Sequence, residues 1–252
     1  MSAPGRIVVS LRGVGKTFES GTVALENFAL DVTGGEFVSL LGPSGCGKST
    51  VLRIIAGLSA ATSGSVSWPA GEARLGFVFQ EPTLMPWANV TDNVRLPIRL
   101  ARRDDPDAVA RALGLVGLSA FARSYPRELS GGMKMRVSIA RALVTEPQLL
   151  LMDEPFAALD EITRFKLNND LLSVWQAVRS TVIFVTHSVF ESVYLSQRIL
   201  VMTPHPGRVF REIRIPAPYP RNESFRTSAE YAGFCRQAAE ALAAAMSGGG
   251  AS

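Results

Sequence analysis

Gly42-Pro43-Ser44-Gly45-Cys46-Gly47-Lys48-Ser49 fits the pattern Gly-x-x-x-x-Gly-Lys-Ser/Thr, and its flanks have the order that pattern needs. Glu36 to Leu41, just before it, is a short apolar run suited to a buried strand, and Ser49 to Ala56 after it suits a helix. Glycines allow backbone N–H groups to curl around phosphate oxygens without Cβ clashes, and the helix that follows turns its positive end toward the same anion. In such a loop Lys48 reaches the β- and γ-phosphates and Ser49, beside Thr50, offers a hydroxyl to Mg²⁺. The chain has four lysines against 22 arginines, so a lysine in this slot carries weight. The ligand expected from this stretch is a nucleoside triphosphate, and the competing description is a Gly-rich turn.

Bulk properties narrow the rest. With 252 residues, 47% of them hydrophobic, the chain can hold one large α/β domain or a main domain plus a small insert. The net charge of +4 comes from scattered arginines with no basic run, so no nucleic-acid partner is expected. Cys46 and Cys235 are far apart and show no metal-ligand spacing, which points to reduced thiols. No leader-like N-terminus and no stretch of about eighteen apolar residues is seen, so a soluble chain is expected.

Outward from the loop, Ile7 to Leu11 and Val23 to Val32 read as strands of a β-rich N-terminal segment, and Ala73 to Phe79 as a further strand ending at Gln80. Residues 89 to 145 change to helical spacing, with Met133, Val137, Ala140 and Leu143 near one face of a helix starting at Gly131. Strands resume at Leu149 to Met152, Thr181 to Val185 and Arg198 to Met202, with a helix from Glu161 to Val178. Gly207 to Ile215 alternates like a half-exposed strand, and Pro216 to Pro220 is a linker. A helix from Ser228 to Met246 carries Tyr231, Phe234, Ala238 and Leu242 on one stripe, and Gly248 to Ser252 reads as a disordered tail. The expected fold is α/β: a P-loop NTPase core with a mostly parallel sheet, an N-terminal antiparallel β-subdomain and an inserted α-helical subdomain at about 89 to 145. Residues 1 to 220 form the main domain and 221 to 252 a C-terminal helix and tail.

The apolar strand ending Met152-Asp153-Glu154 supplies the other half of a hydrolytic site. Asp153 is suited to hold Mg²⁺, and Glu154 to orient and deprotonate an attacking water. Ser130-Gly131-Gly132 opens a helix 23 residues before Asp153; it reads as a capped helix start and also as a second anion site built from N–H groups, a hydroxyl and a dipole.

The phosphate loop, Gln80, Leu129 to Met133, Met152 to Pro155, Ala158 to Asp160 and Val185 to His187, in this order, resemble the ATP-binding subunit of an ABC transporter over about residues 7 to 215. The resemblance implies a head-to-tail dimer of two copies enclosing two ATP molecules, each held by one chain's phosphate loop and the other's Ser130, Gly131 and Gly132. It implies that Gln80 contacts Mg²⁺ and the attacking water and relays the state of a membrane partner, that His187 touches the γ-phosphate, and that Asp160 links the two sites. Phe18 corresponds to the aromatic that stacks on adenine, with a place in the core as its alternative. His205 is taken as turn chemistry in Thr203 to Gly207. Phe79 to Trp87, Leu159 to Arg164, Val185 to Leu195 and Pro206 to Val209 resemble the nitrate, sulfonate and taurine branch of bacterial importers, which also serves pyrimidine-like vitamin precursors. Met133-Lys134-Met135 and His205 depart from that branch's usual residues. Leu84, Met85, Pro86 and Trp87 are candidates for an apolar groove against a permease helix or for burial in the helical insert.

The implied protein is an ATPase that powers import of a small solute through separate permease subunits, peripheral to the cytoplasmic face of the membrane and served indirectly by a solute-binding protein. A soluble ABC ATPase not coupled to transport and a non-hydrolysing regulator are the alternatives.

Overall fold

The computed structural model describes residues 5–103 and 105–248, which cluster as two compact units: residues up to 73 together with those from 180 onward, and residues 74–179. The tail expected from Gly248 to Ser252 lies outside the described residues from 249 on, and Gly248 itself closes a helix.

In the first unit, β1 (Ile7–Thr17) pairs antiparallel with β2 (Val23–Thr33) and with β4 (Ser63–Ser67). β2 buries Ala24, Leu25, Phe28, Leu30 and Val32 and leaves Glu26, Asn27 and Ala29 exposed, and from Phe28 on it shows the period-two pattern of a sheet with one wet face. β1 runs six residues past the Leu11 expected from its pattern, through bulges near Val14 and Lys16. β4 was not legible: Ser63-Gly-Ser-Val-Ser67 is polar and mostly exposed, and its pairing with β1 makes it a strand.

The same unit holds β3 (Phe37–Leu41), β7 (Thr181–Thr186), β8 (Arg198–Met202) and β9 (Val209–Arg214) in the order β7, β3, β8, β9. The first three are parallel and β9 is antiparallel to β8. Every residue of β3 and β7 is buried, Ser39, Thr181 and Thr186 included, as expected of largely apolar strands covered on both faces. The register sets Leu41 opposite Thr186 and Val201, so the chain leaves all three strands at the same end.

α6 (Val189–Leu195), the short α7 (Glu223–Arg226) and α8 (Ala229–Gly248) also belong to this unit. The buried stripe of α8 is Tyr231, Cys235, Ala238, Ala241 and Ala245, rotated from the one expected through Phe234 and Leu242. An Ala-rich helix offers little hydrophobic contrast, so packing on α6, β8 and β9 decides its face.

Arg221 is the centre of this packing and was not anticipated. It is 5% exposed and donates to the carbonyls of Val193, Tyr194, Ser196, Ile215 and Ala217. Its guanidinium also lies over the rings of Tyr219 and Phe225. Burial pushes the Tyr219 hydroxyl up to about 12, so it stays protonated and donates to the Leu195 carbonyl. Arg221→Met keeps the apolar stem and removes the donors, and is expected to lower stability by about 3 kcal/mol, read as a shift in urea midpoint at unchanged slope. A shift equivalent to under about 1 kcal/mol would show that other packing holds the segment.

In the second unit β5 (Leu75–Val78) and β6 (Leu149–Asp153) are a parallel pair, joined by α2 (Val90–Leu100), α3 (Ala108–Leu115) and α4 (Gly131–Leu143) and followed by α5 (Glu161–Val178). Asn89 caps α2 by accepting from the Asp92 N–H, and Asp160 caps α5 by accepting from the Thr163 N–H. On α4 the methionine that is buried is Met135, with Met133 only half-buried, while Val137, Ala140 and Leu143 are buried as expected.

Candidate functional site

Residues 42–49 leave the end of β3 and enter α1 (Lys48–Ile55) through two left-handed glycines, Gly45 at φ 79° and Gly47 at φ 94°. The second is enforced by space as well: a Cβ on Gly47 would stand 2.8 Å from the Ala24 carbonyl oxygen and from a Leu25 methyl. α1 has no side-chain cap hydrogen bond at its N-terminus, and that end of the helix opens directly from the loop, an arrangement suited to an anion. Lys48 is 3% exposed, and its ammonium donates to the carbonyls of Gly42 and Pro43, both at 2.8 Å, which stretches it across the loop it is expected to serve. Ser44 and Gly45 are exposed at the rim, Pro43, Ser49 and Thr50 are half-buried, and Cys46 is buried below.

His187 follows directly from β7, whose last residue, Thr186, is in register with Leu41, the residue before Gly42. The structure therefore brings this exposed histidine and the phosphate loop to the same end of adjacent strands. It adds a neighbour that sequence reasoning had assigned to turn formation alone. The turn from Thr203 to Gly207 leaves β8 against the loop: His205 Nε2 lies 3.6 Å from where a Cβ on Gly45 would stand, and Gly207 sits against the Cys46 carbonyl. The pairing of β8 with β3 is the signal that would have found it, and that pairing is not local. Phe18, just past β1, is 43% exposed, with the Lys16 ammonium 5.4 Å from its ring centroid. An accessible ring face of this kind suits base stacking better than a place in the core.

In the second unit, Val78 is in register with Met152, so Gln80 and the pair Asp153 and Glu154 emerge at the same end of β5 and β6. Asp153 is 7% exposed. Glu154 has φ 44°, a left-handed conformation that non-glycine residues seldom adopt and that recurs at functional sites. Ser130 caps α4 by accepting from the Met133 N–H, with Gly131 exposed beside it. Space at both glycines is tight: a Cβ on Gly132 would lie 3.0 Å from the Thr163 methyl and one on Gly131 3.3 Å from a Leu159 methyl. Those neighbours flank Asp160, so the start of α4 and the start of α5 form one cluster. Asp160 is exposed, and its bonds with the Thr163 hydroxyl and N–H hold its carboxyl below the usual carboxylate range.

The segment after Gln80 is tied down from two helices. Arg141 of α4 donates to the carbonyls of Pro82 and Thr83 and to the Thr83 hydroxyl, and Asn93 of α2 accepts from the Met85 N–H and donates to the carbonyls of Met85, Ala88 and Asn89. Between these anchors Trp87 stands 76% exposed, Pro86 is exposed, and Leu84 and Met85 are half-buried.

Residues 25–157 match the protein family described as ABC transporter. The aliphatic sulfonates import ATP-binding protein SsuB of Bacillus cereus is 42% identical over 226 residues, covering 86% of this chain and 90% of that protein. An uncharacterized ABC transporter ATP-binding protein of Methanocaldococcus jannaschii is 44% identical over 237 residues, covering 90% of this chain and 88% of the relative. Among solved structures, a dimeric bacterial ABC transporter cassette superposes with a TM-score of 0.71 at 33% identity, over 83% of this chain and 100% of that one. A dimeric post-hydrolysis cassette bound to ADP and Pi gives 0.72 at 34% identity, with the same coverage.

Proposed function

The chain belongs to the ABC transporter family, and from that membership we infer that it is the ATP-hydrolysing subunit of an importer, energising solute uptake through separate permease subunits. Its fold is that of a P-loop NTPase, and its working form is a dimer. The observation that carries the reading is the phosphate loop itself, an uncapped helix start behind two left-handed glycines with Lys48 drawn across it. A transport-independent ATPase is not favoured, because the sulfonate relative acts in import. Among the described residues no helix is long and apolar enough to cross a membrane, which fits a peripheral subunit; we place it at the cytoplasmic face, where ATP is.

The loop amides and Lys48 would hold the triphosphate, and the ring of Phe18 would stack on the base. The Ser49 hydroxyl and Asp153 carboxylate are hard oxygen donors of the kind Mg²⁺ takes, with Gln80 as a third, and the ion would neutralise charge on the β- and γ-phosphate oxygens. Glu154 would orient and deprotonate the attacking water, His187 would contact the γ-phosphate, and Ser130, Gly131 and Gly132 would close over the nucleotide of the opposite chain. Asp160, packed in the same cluster, would carry the state of one site to the other. Catalysis of this kind is positioning and charge stabilisation.

For the solute, the sulfonate relative favours, within the nitrate, sulfonate, taurine or pyrimidine-like range expected above, an aliphatic sulfonate delivered by a solute-binding protein. A strain lacking this chain should lose growth on an alkanesulfonate as sole sulfur source and regain it with the wild-type chain but not with Lys48→Ala. Unimpaired growth of the deleted strain would overturn the sulfonate assignment, and absence of ATP turnover by the purified chain with its permease would overturn the ATPase reading.

A further inference from the structure

Thr186 and Ser188 bracket His187, and both are bonded to the same short helix. The Thr186 side chain is 2% exposed; its hydroxyl accepts the Ser188 N–H at 3.0 Å and donates to the Glu191 carboxylate at 2.5 Å. Ser188 in turn caps α6 by accepting the Glu191 N–H at 3.3 Å. A threonine hydroxyl has a single proton. Committing it to Glu191 fixes the rotor so that a lone pair faces the Ser188 N–H on the far side of His187. Glu191 is 6% exposed, and a carboxylate is costly to bury unless donors surround it, so its placement here is specific.

α6 is a firm anchor for this bracket. The Tyr231 hydroxyl donates to the Phe190 carbonyl, Arg221 to those of Val193, Tyr194 and Ser196, and Tyr219 to that of Leu195. The helix is thus held along its length by residues 219–231, and both residues that flank the exposed histidine at its head are bonded to Glu191.

We propose that Glu191 is a positioning residue for ATP hydrolysis, setting the direction of His187 through the Thr186 hydroxyl. The proposal rests on the reading of His187 as the γ-phosphate contact. Glu191 is buried behind Thr186 and lies outside the phosphate loop, so it is expected to act on the rate of turnover and to leave ATP affinity alone.

The test is steady-state ATP hydrolysis by the full chain. Glu191→Ala is expected to lower kcat by about tenfold or more with KM for ATP little changed, because His187 is turned from the γ-phosphate while the loop amides and Lys48, which hold the triphosphate, are untouched. Glu191→Gln, whose amide oxygen still accepts from Thr186, should recover most of the rate. Thr186→Val should match the loss and Thr186→Ser should not, and Thr186→Val with Glu191→Ala should be no worse than either alone. Wild-type kcat in Thr186→Val or Glu191→Ala, with His187→Ala inactive, overturns the proposal alone. Wild-type kcat in His187→Ala overturns the reading of the histidine and the proposal with it. Should Glu191→Ala fail to fold, the nearly isosteric Thr186→Val and Glu191→Gln decide: equal kcat in those two would leave only a structural role and overturn the proposal.

Discussion

Glu154→Gln is expected to cut ATP turnover by roughly two to four orders of magnitude while leaving nucleotide binding intact, and to accumulate a nucleotide-bound dimer. The replacement is nearly isosteric, so it preserves the half-buried position at the end of β6 and adds no new strain to a backbone already at φ 44°. What it removes is the basic oxygen that would take a proton from water. Binding depends on the loop amides and Lys48, which the substitution does not touch. With the step that would reset the dimer blocked, size-exclusion chromatography at saturating ATP and Mg²⁺ should show the dimer persisting, where the wild type returns to monomer as nucleotide is consumed. A variant that elutes only as monomer, or that keeps wild-type turnover, would remove Glu154 from the role of base.

Ser130→Arg is expected to abolish turnover with no loss of ATP affinity in the monomer. The residue is exposed at the head of α4, where a guanidinium would oppose the helix dipole and fill the space into which the opposite chain's nucleotide should fit. Losing the cap costs about 1 kcal/mol of stability, a quantity that thermal denaturation separates from the catalytic effect. Mixing the variant with Lys48→Ala provides a sharper measure. Each mixed dimer would hold one complete site, from the phosphate loop of the first chain and the serine of the second, so activity should return where neither variant alone has any. Loss of ATP binding by the Ser130→Arg monomer, or no recovery on mixing, would show that Ser130 does not serve its partner.

Much of this arrangement was legible in the chain, because the phosphate loop and the pair Asp153 and Glu154 each follow a short, largely apolar run that suits a buried strand. The fully buried runs of β3, β6 and β7 announced a mostly parallel sheet, and the capping serine at 130 announced the start of α4. What escaped depended on partners distant in sequence. β4 is polar and becomes a strand through β1, and α8 presents Cys235 and Ala241 inward because of what lies against it. His205 reaches the phosphate loop because β8 lies beside β3. Likewise the Thr186 and Glu191 bond is five residues long in sequence, yet its meaning depends on Arg221, Tyr219 and Tyr231 fixing the helix from afar.

Arg221 also governs how this chain can be recombined with its relatives. Five carbonyls from residues 193–217 converge on one guanidinium, so the stretch after β9 is no interchangeable appendage. A chimera spliced at residue 215 would pair one parent's α6 with another parent's ending, and it keeps its footing only where tyrosine, arginine and tyrosine equivalent to 219, 221 and 231 travel together. Inheritance at this end of the molecule is therefore by whole block.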